Sequence, residues 1–140
     1  MDKILVLTHE IDHENRAINR RLRKLPKGDT LHAMYKYLDC DMVDVAAFTV
    51  KGRKYDVWFD DEYMLRAGAK VPTFLLVDSL TPIMGNILFA KSDEDGKMVG
   101  LDEEDIRILT RYIDKNFIAL KAFMNGFMRR LMEAKNERGE

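Results

Sequence analysis

"MVDVAAFTVKGRKYDVWFDDE", residues 42–62, decides the fold, because here the apolar period of the chain changes from helical to two. Two β-branched and aromatic runs, "MVDVAAFTV" and "KYDVWF", flank Lys51-Gly52-Arg53, the pattern of a β-hairpin. In the second run Tyr55, Val57 and Phe59 share one face, with Asp56 and Trp58 on the other. Four carboxylates, Asp56, Asp60, Asp61 and Glu62, surround this only tryptophan. A hard metal wants several oxygen ligands converging from separate elements. Neighbours on an extended strand point to opposite sides, so Asp60 and Asp61 do not converge. The acids read as the end of a strand and the cap of a short helix, "DEYMLRAGA", closed by Gly68.

Upstream, "KILVLT" is a short apolar run and reads as a buried strand. The polar stretch "HEIDHENRAINRRLRKLPKGD" fits two periods. Ile18, Leu22 and Leu25 share a helix face, while Ile18, Arg20, Leu22 and Lys24 suit an edge strand; Pro26 and Gly28 end either. Asp29 or Thr30 then caps an amphipathic helix carrying Leu31, Met34, Tyr35 and Leu38. Downstream, "PTFLLVD" and "NILFAK" read as strands, with Pro82 and Gly85 as breakers between them.

The clearest local signal follows. Asp102 stands at an N-cap with Asp105 at N3, Glu103 and Glu104 place negative charge at the helix start, and Leu101 and Ile106 have the spacing of a hydrophobic staple. The helix that begins there extends to about residue 135. Ile113, Phe117, Leu120, Met124, Phe127 and Leu131 form an apolar seam of heptad type. Gly126 is its weak point, where a kink or a two-helix hairpin is allowed, at about 1 kcal/mol relative to Ala. The expected fold is α+β: a mainly antiparallel sheet of four to six strands, with the two helices on one face. Residues 1–116 make one domain and 117–140 a C-terminal helical extension that docks back or pairs with another copy.

At 140 residues the chain buries a core without disulfides, and its single Cys40 forms none internally. Cys40 lies between Asp39 and Asp41, and neighbouring carboxylates raise a thiol pKa, so it is a poor nucleophile. The net charge of −1 conceals segregation: residues 16–27 hold Arg16, Arg20, Arg21, Arg23, Lys24 and Lys27 and no acid, whereas 92–105 hold seven acids and one lysine. The basic group is the candidate electrostatic contact, for phosphates or an acidic protein. No apolar run approaches the roughly 20 residues of a membrane span, and a cytosolic location is the expectation.

Two motifs tempt and fail. His9-Glu10-Ile11-Asp12-His13 satisfies H-E-x-x-H, but that zinc-hydrolase pattern works in mid-helix with a third ligand, and here it follows a strand with only His32 and scattered acids to complete it. "KSDEDGKMVGLD" resembles a calcium loop at Asp93, Asp95 and Gly96, but Lys91 occupies the first ligand position and Asp102 the last. No metal, cofactor or catalytic residue is expected.

"DTLHAMYKYLDCDMVDV", "YDVWFDDEYML", "IMGNILFA" and "GKMVGLDEEDIRILTRYI" occur in an order that resembles the domain of unknown function 3846 family, over residues 29–116. Those are small proteins of phages, plasmids and conjugative elements of Gram-positive bacteria, with no established catalytic site. The resemblance implies a non-enzymatic accessory protein of a mobile element in the cytoplasm of a bacterial host. The role expected first is counter-defence, inhibition of a host immune protein such as a CRISPR effector. The alternative is a sponge for a nucleotide signal, with Tyr55, Trp58 or Phe59 stacking on a base. The basic stretch at 16–27 and the tail after 116 depart from the family pattern and are where a particular function is expected to lie.

Overall fold

The computed structural model describes residues 3–62 and 71–137, the side chains at 128, 131 and 135–137 excepted. Strands β1 (Lys3–Asp12) and β2 (Ala17–Pro26) form a ten-residue antiparallel hairpin. Its turn is closed by Asp12, whose carboxylate accepts from the backbone N–H of Asn15 at 3.0 Å and from Asn15 Nδ2 at 2.8 Å. The edge-strand reading of "AINRRLRKLP" is therefore the one the fold adopts. A single 3-10 turn (Lys27–Asp29) leads into α1 (Thr30–Leu38). Asp29 occupies the N-cap position of α1, but its side chain makes no capping hydrogen bond.

β3 (Val43–Val50) and β4 (Arg53–Asp60) are the second hairpin, as the alternation predicts. Lys51 and Gly52 both have positive φ, 51° and 78°, the two-residue turn whose twist matches the strands. Then follow β5 (Pro72–Leu76), β6 (Thr81–Met84), β7 (Ile87–Ser92), β8 (Met98–Val99) and α2 (Glu103–Glu137). The main sheet runs β2-β1-β7-β4-β3, with β8 on the end of β7, and β5 and β6 pair separately. "PTFLLVD" thus pairs with "TPIM", a strand hidden in what reads as breaker sequence, and not with "NILFAK". The helix expected over "DEYMLRAGA" falls mostly on residues outside those described.

The fold is α+β with an antiparallel sheet and a long C-terminal helix, but its helices do not share a face. Cross-strand partners lie on the same side of a sheet, so Leu7, Val57 and Phe89 share one face, and Thr8, Trp58 and Leu88 the other. The first face packs with Ile108, Leu109 and Ile113 of α2 and with Phe74 and Ile83 of the β5–β6 pair. The second packs with Met34 and Leu38 of α1. Both faces of β1 and β7 are covered, which is why Ile4, Val6, Leu7, Ile87, Leu88, Phe89 and Ala90 are all buried.

α2 is one unbroken helix through Gly126, roughly 52 Å long at 1.5 Å per residue. No second helix begins there, and α2 runs on through residues 116 and 117. Its start is the reciprocal capping box expected: Asp105 N–H donates to Asp102 Oδ1 at 2.7 Å, and Asp102 N–H to Asp105 Oδ2 at 2.9 Å. Farther along, the buried Asn116 side chain donates to Leu75 O at 2.7 Å and accepts from Leu75 N–H at 2.9 Å. It does for β5 what a neighbouring strand would do.

Candidate functional site

The edge strand β2 splits its cations between the two faces of the sheet. Arg20 and Lys24 lie on the α2 side, opposite His9 and Leu5, and Arg21 and Arg23 on the α1 side, opposite Thr8 and Val6. Two of them are committed within the fold. Arg23 makes a two-pronged contact with Glu10 at 2.7 and 2.8 Å while its guanidinium lies 4.8 Å from the Tyr37 ring centre. That hydrogen-bonded pair holds the Glu10 carboxyl below the usual range. Arg20 donates from Nε to His9 Nε2 at 3.0 Å and from Nη2 to Asp114 Oδ1 at 2.7 Å, joining the first hairpin to α2. Burial, with the Arg20 charge adding to it, lowers the His9 pKa to about 4, so the ring is neutral and accepts. His9, Ile18, Arg20, Ile113, Asp114 and Phe117 line a cleft of about 260 Å³ there.

The remaining cations of the group are dispersed. Arg21 and Lys24 are exposed on opposite faces, Arg16 sits in the first hairpin turn with positive φ, and Lys27 opens the 3-10 turn. One compact patch of six charges does not form. Edge lysines and arginines also discourage pairing with another strand.

The seam on α2 divides in a different way. Ile113 and Leu120 are each 2% exposed, buried in this chain's own core. Phe117 and Phe127 are 38% and 43% exposed, Met132 is 60% exposed, and Met124 is half-buried. Leu131 lies among the undescribed side chains. No described residue beyond Leu120 is buried.

The zinc reading does not survive the geometry. His9 and Glu10 are consecutive residues of β1 and face opposite sides of the sheet, and His13 lies in the turn beyond. On an extended chain four residues cover roughly 13 Å, too far for two ligands of one zinc. Among the described residues no group of three His, Cys, Asp or Glu is placed to hold a metal. The calcium-like loop is a turn: the Asp93 carboxylate accepts from the N–H groups of Asp95 at 3.0 Å and Lys97 at 2.9 Å. Cys40 is buried in the α1 core.

The aromatic residues proposed for base stacking are also structural. Tyr55 and Phe59 belong to the core under α2, and Trp58 packs against the α1 cluster with its indole Nε1 enclosed and without an acceptor among the described residues. Tyr55 O–H donates to Asp105 Oδ1 at 2.8 Å, and burial followed by that carboxylate pushes its pKa up to about 12. Asp105 itself is buried. Burial alone would raise its pKa, but Lys91, the Asp102 N–H, Tyr55 and Arg53 outweigh that and hold the carboxyl well below the usual range. Arg53 Nη1 reaches it at 2.9 Å and Lys91 from β7 is its closest cation. The sequence pattern places Asp105 in the capping box but does not reveal that it also pins α2 to β4 and β7.

A third surface was not legible from the sequence. Val50, Lys51, Ile108, Arg111, Tyr112 and Lys115 line a cleft of about 370 Å³ between the second hairpin turn and α2. The only sequence signal was the i, i+4 spacing of Arg111 and Lys115; Lys51 joins them through the sheet register.

Comparison with protein-family models, curated proteins and solved structures returns no match. Among the described residues no helix is long and apolar enough to cross a membrane.

Proposed function

We propose that this is a non-enzymatic binding protein of a mobile genetic element, acting in the cytoplasm of a bacterial host as an inhibitor of a host immune protein such as a CRISPR effector. The observation that carries the binding reading is the second half of α2, a helix already anchored by its first half that presents Phe127 and Met132 to solvent. Exposed apolar surface of this kind marks interaction sites. Heptad spacing favours a second copy of the chain along that stretch, which gives a homo-oligomer through Phe117, Met124, Phe127 and Leu131. Ile113 and Leu120 drop out of that interface because the core of the domain already encloses them.

The mobile-element setting and the immune target rest on the family resemblance of residues 29–116. The contact to the target is assigned to the edge of β2, approached side-on, where Arg21 and Lys24 project to opposite sides and have no ion-pair partner among the described residues. Arg20 and Arg23 support the hairpin from within.

A tagged pull-down from host cytosol, with bound proteins identified by mass spectrometry, tests the reading. The expected result is one dominant stoichiometric partner that is lost when Arg21 and Lys24 are both replaced by Glu. Unchanged capture by that variant would sink the contact assignment, and a preparation without any protein partner would sink the inhibitor reading.

A further inference from the structure

Three cations surround the cleft between the second hairpin turn and α2, and among the described residues no carboxylate lines it. Four other cations close to the first half of α2 are neutralised within the fold. Asp105 takes Arg53 and Lys91, Asp114 takes Arg20, and Glu104 takes Arg107. Glu104 also feels the charge of Lys51, but its carboxylate is held by Arg107. Among the described residues Lys51, Arg111 and Lys115 have no ion-pair partner. Like charges at i, i+4 on a helix repel, and the third cation adds to this. An anion in the cleft reverses that sign.

The supports are rigid. Lys51 sits in a tight two-residue turn between long paired strands, and Arg111 and Lys115 sit on the anchored half of α2. Between the charges the lining is apolar: Val50, the buried Ile108 and the ring of Tyr112. That ring is itself stacked on Phe48, with centroids 5.3 Å apart and planes 17° apart, so its orientation is fixed before any ligand arrives. An inorganic anion would use the cations and leave the apolar lining wet. An apolar compound would use the lining and leave three charges unanswered. The volume of about 370 Å³ lies in the range of small-ligand clefts.

We propose that this cleft binds a phosphate ester of an aromatic nucleoside, with the phosphate between Lys51, Arg111 and Lys115 and the base against Tyr112. The site is distinct from the β2 edge and from the exposed half of α2, and does not rest on the inhibitor reading.

The test is calorimetric titration of the full chain with AMP, GMP, CMP and UMP, and in parallel with inorganic phosphate and adenosine. At least one nucleotide saturates the protein, binds at least about tenfold more tightly than phosphate, and weakens as salt is added. Adenosine gives no measurable heat at the same concentration. The double variant Arg111→Gln, Lys115→Gln keeps its thermal midpoint and loses nucleotide binding by at least about tenfold. Tyr112→Leu weakens the nucleotide and leaves phosphate binding as it was. Failure of all four nucleotides to saturate at millimolar concentration overturns the proposal, as does undiminished binding by the double variant. Tight binding of a single-stranded oligonucleotide without any mononucleotide binding overturns it too, in favour of a nucleic-acid surface. None of these outcomes alters what the pull-down reports.

Discussion

From Glu103 to Leu120, α2 lies against the sheet and the β5–β6 pair, and its seam residues Ile113 and Leu120 join Ile108 and Leu109 in being buried. From Lys121 to Glu137 the same helix continues without interruption, and none of its described residues is buried. The amino-acid pattern hardly distinguishes the two halves, since the apolar steps of three and four run through both. An apolar period establishes that a helix has a face wanting cover, not what covers it. In the first half the cover is this chain's own sheet, and there the helix is also held by specific polar ties: Asp105 at its start, Asp114 to Arg20, and Asn116 to the edge of β5. No such tie is present among the described residues of the second half.

The sharpest way to break the contrast is to cut the same kind of side chain from each half. Leu109→Ala removes a fully buried side chain and should lower unfolding free energy by about 3 kcal/mol in urea denaturation. Phe127→Ala, measured on dilute protein, should cost much less, because that ring is 43% exposed. Equal losses would mean that the second half folds onto the domain.

Acid provides the next test, through the tie at His9. The folded ring titrates at about 4 and the unfolded one at its ordinary 6.5, so between these values the unfolded chain binds a proton that the folded chain does not. This contribution is complete above pH 6.5 and is lost as pH falls towards 4, by at most roughly 3 kcal/mol. Protonation also turns His9 Nε2 from acceptor to donor, facing Arg20 with a like charge. His9→Gln should flatten that part of the stability profile, measured by denaturation at successive pH values; an unchanged slope would remove His9 from the account.

Asn116→Ala should cost about 2 kcal/mol, since it leaves both backbone groups of Leu75 without their partner in a buried place. Protection of the β5 amides in hydrogen exchange should fall with it. The smallest expected change in stability comes from Phe127→Glu combined with Met132→Glu. On dilute protein it should lie within about 0.5 kcal/mol of the parent, while light scattering shows the loss of self-association. A parent chain that scatters as a monomer at high concentration would leave the exposed half without the partner proposed for it.

Much of this architecture is legible in the residues. The second hairpin announces itself by period and by Lys51-Gly52, and the start of α2 by Asp102 and Asp105. The path of residues 8–28 is not, because Ile18, Leu22 and Leu25 fit a helix face while Ile18, Arg20, Leu22 and Lys24 fit an edge strand. The placement of the helices on opposite faces was encoded more faintly. "KILVLT" and "NILFA" are apolar without alternation, as strands covered on both sides are, and only the cross-strand register turns that into two layers. The β6 strand was masked by Pro82 and Gly85, which an edge position tolerates. For the site the reason is similar. Whether Arg20 and Arg23 are free or engaged depends on which groups the β1–β2 register and the path of α2 bring within reach: His9 and Asp114 for Arg20, Glu10 for Arg23. The third cation of the cleft belongs to an element some sixty residues before the other two.

The position of β7 in the sheet carries a consequence for how the chain comes into being. The two hairpins, β1–β2 and β3–β4, are local and complete by residues 26 and 60, yet in the sheet no strand of one pairs with a strand of the other, and β7 at residues 87–92 joins them. As the chain leaves the ribosome, two half-sheets therefore wait with their inner strands, β1 and β4, unpaired along one side. The keystone strand arrives only after both, and α2, which seals one face, comes later still. Contacts of such sequence separation slow folding and prolong the exposure of open edges. The interval between synthesis of residue 60 and residue 92 is thus the period in which a nascent chain is most open to pairing with the wrong strand.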